Sequence, residues 1–394
     1  MNAVLKNYAS TLAMLAGVLA GGLIGALWPA AAQYLKPFGD IFLNLLFVLV
    51  IPMVFCSIAL SFCRLRSGGR LGTLLLRTSI VFVCLWLLYG IAGYLSVLLS
   101  GPLASAGQSV SDAVLPAQSR GDALVSAFSV PDFPQLFSKY SILPLMIFSA
   151  LIGAGISAAG EKGAPMAKAL DSCNEAVMRA MDYLMWLAPL GLGCYFADSV
   201  ASIGSSVLGG YLKVFLLYCL VAFLLFAVVN PALVLLTRGK VGFKAFWRYI
   251  VPPSLTALAT ASSSVAMPGN IEAAQRIGAE ESIAGAVVPL ATNLLKAGSV
   301  TGAVLKVAFL MAFCGLGTPT PACIGIAVLA AVVSGAVANG GVTGDLLICA
   351  LVGVDPSLVG VVMIIGTIID IPATLLNSQT NVVGALLADK FLQK

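Results

Sequence analysis

Long apolar runs separated by short polar stretches make up most of this chain. A run of about twenty mostly apolar residues is long enough to cross the hydrocarbon core of a bilayer as a helix. The first part of the chain has such runs at residues 9–32, 40–63, 74–100, 140–159, 183–203 and 209–237. The pattern therefore predicts an all-α polytopic membrane protein.

The pattern changes after residue 250, where the apolar segments become short and are interrupted twice. The interruptions are rich in Ser, Gly, Pro and Asn and lie at 260–270 and 334–344. Each predicts a re-entrant hairpin, with a surface loop between shortened helices as the alternative. Irregular backbone at membrane depth has to be buried in protein or line a cavity. Two such interruptions in one chain are typical of the substrate site of a transporter.

Composition narrows the classes of function. Hydrophobic residues account for 60% and charged residues for 9% of the 394 positions, against roughly 25% charged in soluble domains. The chain has no histidine, and its nine cysteines are scattered without a CxxC pair. Imidazole bases and imidazole metal ligands are therefore absent from the sequence, and the cysteine spacing does not indicate a metal site. We expect no enzyme activity, no cofactor, no metal and, with a dispersed net charge of +5, no nucleic-acid partner.

Basic residues are concentrated after the second and sixth apolar runs. They are Arg64, Arg66, Arg70, Arg77, Arg238, Lys240, Lys244 and Arg248. Because cytoplasmic loops carry an excess of Lys and Arg, these segments and the N-terminus are predicted to be cytoplasmic. The loop at 101–139 then lies outside. An even number of crossings returns the C-terminus to the cytoplasm, and lipid surrounds the helices.

A polar stripe follows one face of the last apolar segment. Asp370, Thr374, Asn377 and Asn381 are spaced at i, i+4, i+7 and i+11, which brings them to one side of a helix. A carboxylate binds an ammonium group and an amide donates to a carboxylate, so the stripe matches the polar atoms of an amino acid. A hydrogen-bonded seam between helices is the alternative.

The serine triplet Ser262, Ser263 and Ser264 lies at the first interruption. Its hydroxyl groups, together with free backbone N–H groups near helix ends, suit an anionic group of the substrate.

Three charged residues lie in apolar segments of the C-terminal part: Lys296, Lys306 and Asp370. Each would cost about 2.5 to 3.5 kcal/mol at the centre of a bilayer, so we expect all three to face protein or water. One continuous helix is predicted to carry both lysines, about 15 Å apart. Lys306 is expected to snorkel or to face another helix in a structural role. Lys296 is expected to lie deeper, beside small residues.

Several segments resemble the dicarboxylate/amino acid:cation symporter family, which includes glutamate, neutral amino acid and serine/threonine transporters. The resemblance covers nearly the whole chain and is closest, in the last helix, to the serine/threonine transporters. It rests on Lys36–Phe42, Val50–Phe55, Ile142–Phe148, Ser262–Pro268, Pro289–Leu290, Asp370, Thr374 and Asn377.

The resemblance implies eight transmembrane helices and two re-entrant hairpins that work by an elevator mechanism, in a homotrimer of the bacterial inner membrane. Residues 1–250 would hold mainly the scaffold helices 1, 2, 4 and 5. The transport domain would comprise helix 3 at about 74–100, helix 6 at about 209–237 and a core at 251–394. That core consists of hairpin 1 at about 244–278, helix 7 at about 282–314, hairpin 2 at about 318–352 and helix 8 at about 356–392.

The resemblance also implies how substrate is bound. Asp370 would bind the ammonium group, Asn377 and the serine triplet the carboxylate, and Thr374 the side chain. The tip of the second hairpin would be a flexible gate. It comprises Ala338, Asn339, Gly340 and Gly341.

Ala373 stands where members that transport acidic substrates carry an arginine, so the bidentate carboxylate clamp is missing. We therefore expect a small neutral amino acid such as serine, threonine or alanine as the substrate.

The sodium-binding residues of the family are also replaced. Its Asn-Met-Asp-Gly-Thr motif corresponds to residues 295–299, which read Leu-Lys-Ala-Gly-Ser. Asn381 replaces an aspartate, and Tyr89-Gly90 replaces a Thr-Ser pair. Hard cations need several oxygen ligands, preferably including carboxylates. We expect sodium coupling to be lost.

Our hypothesis is that the Lys296 ammonium takes the place of bound sodium as a tethered cation. A lysine that stays charged predicts exchange or uniport, and one that releases its proton predicts proton coupling. The alternative is a structural strut to Asn381, a backbone carbonyl or an acidic neighbour. Two wider alternatives are a transporter of acidic amino acids or dicarboxylates, and a sensor or anion-conducting protein that does not transport.

Overall fold

The computed structural model describes residues 3–64, 70–104, 125, 129–138, 140–203, 206–336 and 341–392. Regular structure in these residues is helical, without a β-strand. The helices of the first part are α1 (Ala3–Leu27), α2 (Pro29–Arg64), α3 (Arg70–Ser100), α4 (Ile142–Ala158), α5 (Ala164–Trp186), α6 (Ala188–Ile203) and α7 (Ser206–Leu224). Those of the second part are α8 (Asn230–Tyr249), α9 (Val251–Thr260), α10 (Met267–Ile277), α11 (Glu281–Leu294), α12 (Ala297–Phe313), α13 (Ala322–Ala336), α14 (Gly341–Val352) and α15 (Val359–Leu392).

Five helical segments of the described chain are long and apolar enough to cross a membrane. They are Pro29–Leu60, Leu76–Ser100, Leu208–Leu258, Glu281–Phe313 and Pro356–Phe391. A sixth span results if the bent pair formed by α5 and α6, with an angle of 57°, is counted as one. The predicted apolar runs near the N-terminus and at 140–159 contain shorter apolar helices, Ala16–Leu27 and Pro144–Ala158. The six predicted runs thus fall on helices, and the count of eight crossings stays a prediction.

The backbones of α1 and α6 approach each other closely. A Cβ atom on Gly21 would lie 2.0 Å from the carbonyl oxygen of Gly193, and one on Gly17 would lie 2.1 Å from that of Pro189. Small residues allow membrane helices to pack at such short distances. In addition, α2 packs against α4, α5 and α6. The first part is therefore held together mainly by apolar helix contacts.

Two pairs of short helices flank the interruptions after residue 250. The arms α9 and α10 flank residues 261–266, and α13 and α14 flank residues 337–340, which lie outside the described part. The helices of each pair pack against each other. At 1.5 Å per residue, α9 and α14 are only about 15 and 18 Å long, too short to cross about 30 Å of hydrocarbon. The lengths agree with the arms of the two predicted hairpins.

The prediction of one continuous helix carrying Lys296 and Lys306 is wrong. The helix ends with α11 and restarts with α12, because Lys296 adopts a left-handed conformation with φ +35°. Side chains of other helices bind two backbone carbonyl groups beside the break. The Leu295 carbonyl, which the break releases, accepts a hydrogen bond from the Trp86 indole, and the carbonyl of Gly298, in the first turn of α12, accepts one from the Tyr218 hydroxyl at 2.9 Å. These partners satisfy backbone groups that lipid could not.

The last helix, α15, is the centre of the second part. It packs against α8 to α12 and α14, and also against α3 and α7. One stretch of it, Ser378–Asn381, is polar yet has no exposed surface. Asn270 of α10 donates to Ser378 at 2.9 Å, and Tyr89 of α3 and Gln379 both contact Asn230 of α8. The grouping of α3 and α7 with these elements is compatible with the predicted division into domains, which stays a prediction.

Candidate functional site

A cavity of about 660 Å³ lies between the two hairpin regions, the break between α11 and α12, and α15. Methionines of α1 and α5 contribute to its wall, so it adjoins the first part of the chain as well. The predicted site residues that line it are Ser262, Ser263, Ser264, Lys296, Gly341, Asp370, Ala373, Thr374 and Asn377. Residues that are far apart in the sequence are thus brought to one cavity.

Among the described site residues, Asn381 is not in the cavity lining. Asn381 is fully buried and shares a hydrogen bond with Thr292 Oγ1 at 3.0 Å. The predicted gate residues Ala338, Asn339 and Gly340 lie outside the described residues, and only Gly341 of that set is described, at the start of α14.

The three serines of the first hairpin tip have different surroundings. The chain enters the tip through Ala261, whose φ of +48° turns it away from α9. Ser263 is 7% exposed, whereas Ser264 is open to solvent. The backbone N–H of Val265 donates to the Ser262 hydroxyl at 3.4 Å. The tip therefore presents hydroxyl groups to the cavity from a tight local turn.

The polar stripe on α15 divides into a cavity-facing part and a packed part. Asp370 is exposed in the cavity and, within the described part of the chain, has neither a hydrogen bond nor an ion pair. Asn377 is only 6% exposed and is held by Ser299 of α12. Its Oδ1 accepts from the Ser299 N–H at 3.2 Å, and its Nδ2 donates to the Ser299 hydroxyl at 3.1 Å. The stripe is therefore both a cavity wall and a helix seam.

An ion pair inside the cavity joins α12 to the second hairpin. Lys306 Nζ lies 2.6 Å from Asp345 Oδ1 of α14, and their side chains are 13% and 7% exposed. Gly366 of α15 leaves the room for it, because a Cβ atom there would lie 2.9 Å from Lys306 Nζ. Lys306 thus faces another helix, as expected. Asp345 is a cavity residue that the sequence analysis missed, although an acidic residue within an apolar arm is itself a signal.

Lys296 is half-buried at the break between α11 and α12 and lines the cavity. Its ammonium group makes no hydrogen bond or ion pair with any residue that the structure describes. The strut to Asn381 is therefore not formed in this structure. A Cβ atom on Gly335 of α13 would lie 3.3 Å from Lys296 Cγ, so the lysine stem passes close to the second hairpin.

Comparison with known proteins identifies the protein family to which the chain belongs. A model of the sodium:dicarboxylate symporter family matches residues 11–391. The chain belongs to this family. This is a family of membrane transporters and not of enzymes, and the apolar helices of the described residues agree with an integral membrane protein.

Named relatives in the family transport two kinds of substrate. The proton/sodium-glutamate symport protein of Geobacillus stearothermophilus is 26% identical over 95% of this chain and 92% of its own length. The C4-dicarboxylate transport protein of Laribacter hongkongensis is 27% identical over 97% of this chain and 88% of its own. That of Azorhizobium caulinodans is 29% identical over 70% of this chain, and the match spans 64% of the relative. Against this last protein, the chain covers somewhat less than two thirds of the relative's length.

The residues predicted to replace the cation ligands of the symporter family hold apolar or occupied groups. Leu295 and Ala297 are fully buried, and Asn381 is bound to Thr292. Tyr89 is buried and bonded to Asn230, which in turn bonds to Gln379. These side chains stabilise contacts between helices, and none of them supplies a carboxylate oxygen for a hard cation.

Proposed function

We propose that the protein is a secondary transporter of small neutral amino acids, such as serine, threonine and alanine, and that it works without sodium. The observation that carries the proposal is Asp370, which has no hydrogen bond or ion pair with a described residue, in a cavity that Ala373 also lines. The resemblance implies an arginine at the position of Ala373 in members that transport acidic substrates. A carboxylate with open hydrogen-bonding capacity suits the ammonium group of a substrate. Without a guanidinium group beside it, the site has no bidentate partner for a carboxylate on the substrate side chain.

The remaining lining residues suit a small side chain with a hydroxyl group. Thr374 lies one turn after Asp370 on α15, and its own hydroxyl supports a hydrogen bond to a serine or threonine substrate. The cavity wall also includes Met14, Met181 and Leu192, which suit the aliphatic part of such a substrate.

Sodium independence follows from the replaced cation ligands together with Lys296. Leu295, Ala297 and Asn381 offer no carboxylate, whereas the Lys296 ammonium supplies one fixed positive charge at the break in the helix. A fixed cation in a water-accessible cavity performs the electrostatic task of a bound ion without being exchanged. The transport mode is then exchange, uniport or proton coupling.

The proposal includes the family's architecture. α1, α2 and α4 to α6 form the scaffold of a homotrimer in the bacterial inner membrane, with both termini in the cytoplasm. α3, α7, α8 and the elements from α9 to α15 form the domain that moves, and the second hairpin is its gate. The packing of α3 and α7 on α15 supports this division.

A second candidate function is the transport of an acidic amino acid or a C4-dicarboxylate. Two observations favour it: the relatives are named for such substrates, and two lysines line the cavity. One of these lysines is already paired with Asp345, which reduces its availability to a substrate carboxylate.

The two candidates are separated by counterflow in proteoliposomes loaded with an unlabelled test substrate. Labelled serine, threonine, alanine, aspartate, glutamate and succinate are offered outside, with sodium or choline, and with or without a pH gradient. We expect exchange of the neutral amino acids in both salts. Exchange of succinate or glutamate alone, or exchange that requires sodium, would contradict the proposal.

A further inference from the structure

The four ionisable side chains of the cavity divide into one closed pair and two open groups. Lys306 and Asp345 neutralise each other at 2.6 Å. Asp370 is attracted first by Lys306 and then by Lys296, but it forms an ion pair with neither of them. The cavity thus contains one carboxylate and one ammonium group that are separate from each other and uncommitted within the described residues.

Asn377, which was expected to bind the substrate carboxylate together with the serine triplet, is occupied on both ends of its amide. Its oxygen accepts from the Ser299 N–H and its nitrogen donates to the Ser299 hydroxyl. Releasing it for a substrate would leave two polar groups of α12 without partners in a mostly buried position, which is costly. The hydroxyl groups of Ser262, Ser263 and Ser264 in the same cavity carry no charge, so the carboxylate still lacks a cationic partner.

We infer that Lys296 Nζ binds the α-carboxylate of the substrate while Asp370 binds its α-ammonium group. The inference rests on the proposed function, because it requires an amino-acid substrate. A zwitterion inserted between the two side chains gains a charge-assisted hydrogen bond at each end, of about 2.8 Å. Lys296 then pairs with the substrate carboxylate and Asp370 with the substrate ammonium group, so every ionic group among the described residues of the filled cavity is paired.

The backbone holds Lys296 in a defined position for this contact. Its left-handed conformation separates two helices, and the preceding carbonyl is bound by Trp86. Gly335 allows the lysine stem to pass close to α13, where a larger residue would also collide with the Asn293 carbonyl oxygen at 2.3 Å. A long side chain restricted in this way loses less freedom on binding than an exposed lysine.

Lys306 does not compete for the same carboxylate. If Lys306 left Asp345 to bind a substrate carboxylate, an aspartate that is only 5% exposed would lose its cation. Such an unpaired buried charge costs several kcal/mol. The assignment therefore selects one of the two cavity lysines.

The test combines substrate analogues with variants of the full-length protein in proteoliposomes. Serine carries both charged groups, ethanolamine lacks the carboxylate, and 3-hydroxypropionate lacks the ammonium group. We expect wild-type protein to bind serine at least 10-fold more tightly than either analogue. Lys296→Met should lower the affinity for serine by about 10- to 100-fold. The affinity for ethanolamine should stay unchanged, because ethanolamine has no carboxylate for Lys296 to bind.

Lys296→Asn is the second variant, because asparagine tolerates the left-handed conformation and keeps the backbone of the break. Lys36→Met is the matched control: it removes a lysine from an exposed ion pair with Asp198 and should leave all three ligands unaffected. Thermal unfolding checks that each variant is folded. If Lys296→Met does not fold, the affinities of Lys296→Asn for the three ligands test the contact between Lys296 and the substrate carboxylate.

Two results would overturn the inference and leave the proposed function standing. In one, the Lys296 variants lower the affinities for serine and for ethanolamine equally, which is the result expected if the lysine has only a structural role. In the other, they lower neither affinity. If the wild-type protein binds succinate but no amino acid, the proposed function fails, and the assignment of Lys296 fails with it.

Discussion

The contact between α1 and α6 and the contact between α12 and α15 join helices in opposite ways. In the first, backbones touch through glycines such as Gly21 and Gly193. In the second, Ser299 and Asn377 exchange two hydrogen bonds beside a break in the helix. Close backbone packing stabilises a rigid contact without polar groups. A broken helix instead leaves backbone groups that side chains have to satisfy, and the cavity forms where this has happened.

The comparison implies that substitutions in the two regions have different consequences. Changes at the glycine contact should alter stability and leave substrate affinity alone. Changes among the cavity charges should alter stability if the group is paired, and affinity if it is open.

The largest expected effect is on the paired charges. Lys306→Met leaves Asp345 buried without a partner and should lower the free energy of unfolding by about 3 to 5 kcal/mol. The double variant Lys306→Met, Asp345→Leu removes both charges and should recover most of the loss, which thermal unfolding in detergent measures. A single variant as stable as the wild type would show that the ion pair contributes nothing.

A charged residue without an ion pair, such as Asp370, should affect substrate affinity more than stability. Asp370→Asn removes the partner of the ammonium group but breaks no described contact. Amino-acid affinity should fall at least 100-fold, corresponding to about 3 kcal/mol, with the unfolding temperature little changed. The control is Asp40→Asn in α2, outside the cavity lining. Calorimetry that finds full binding by Asp370→Asn would indicate a substrate without an amine.

The glycine contact gives the next effect. Gly21→Ala places a Cβ atom 2.0 Å from the Gly193 carbonyl, so α1 and α6 have to separate. We expect a loss of about 1 to 3 kcal/mol in stability with unchanged serine affinity. Gly155→Ala in α4 is the matched control, because nothing lies within 4 Å of its Cβ position. Equal stability of the two variants would mean that α1 and α6 are not packed this closely.

The smallest expected effect is that of replacing sodium by choline on the rate of exchange. Replacement of sodium by choline should change the initial rate of serine exchange by less than twofold, because Leu295 and Ala297 supply no ligand for a hard cation. Lys36→Met proteoliposomes should respond in the same way. A tenfold stimulation by sodium would require ligands that the replaced positions do not provide.

The sequence predicted the elements whose signal is periodic or compositional. The six apolar runs coincide with helices because hydrocarbon thickness fixes their length. The two interruptions lie between pairs of short helices, and the hairpins that they predict stay a prediction. The shared cavity of Ser262 and Asp370 followed from the polar stripe and the resemblance to a known family.

Features that depend on tertiary partners were not predictable in this way. No proline lies within five residues of Lys296, and the Leu295 carbonyl that the break releases is bound by Trp86, a residue 209 positions away in the sequence. The pairing of Lys306 with Asp345 joins residues 39 positions apart on different helices. The two hydrogen bonds between Asn377 and Ser299 likewise join different helices, and the spacing of polar residues along one helix does not predict them.

The ammonium group of Lys296 is covalently part of the carrier, and this has an energetic consequence. A dissolved ion that enters on one side and leaves on the other delivers its electrochemical gradient to the substrate. A side chain that travels out with the zwitterion travels back with the empty carrier, so over a full cycle it moves no net charge. If Lys296 keeps its proton throughout, the membrane voltage performs no work on serine. The carrier then equalises amino-acid pools instead of concentrating them.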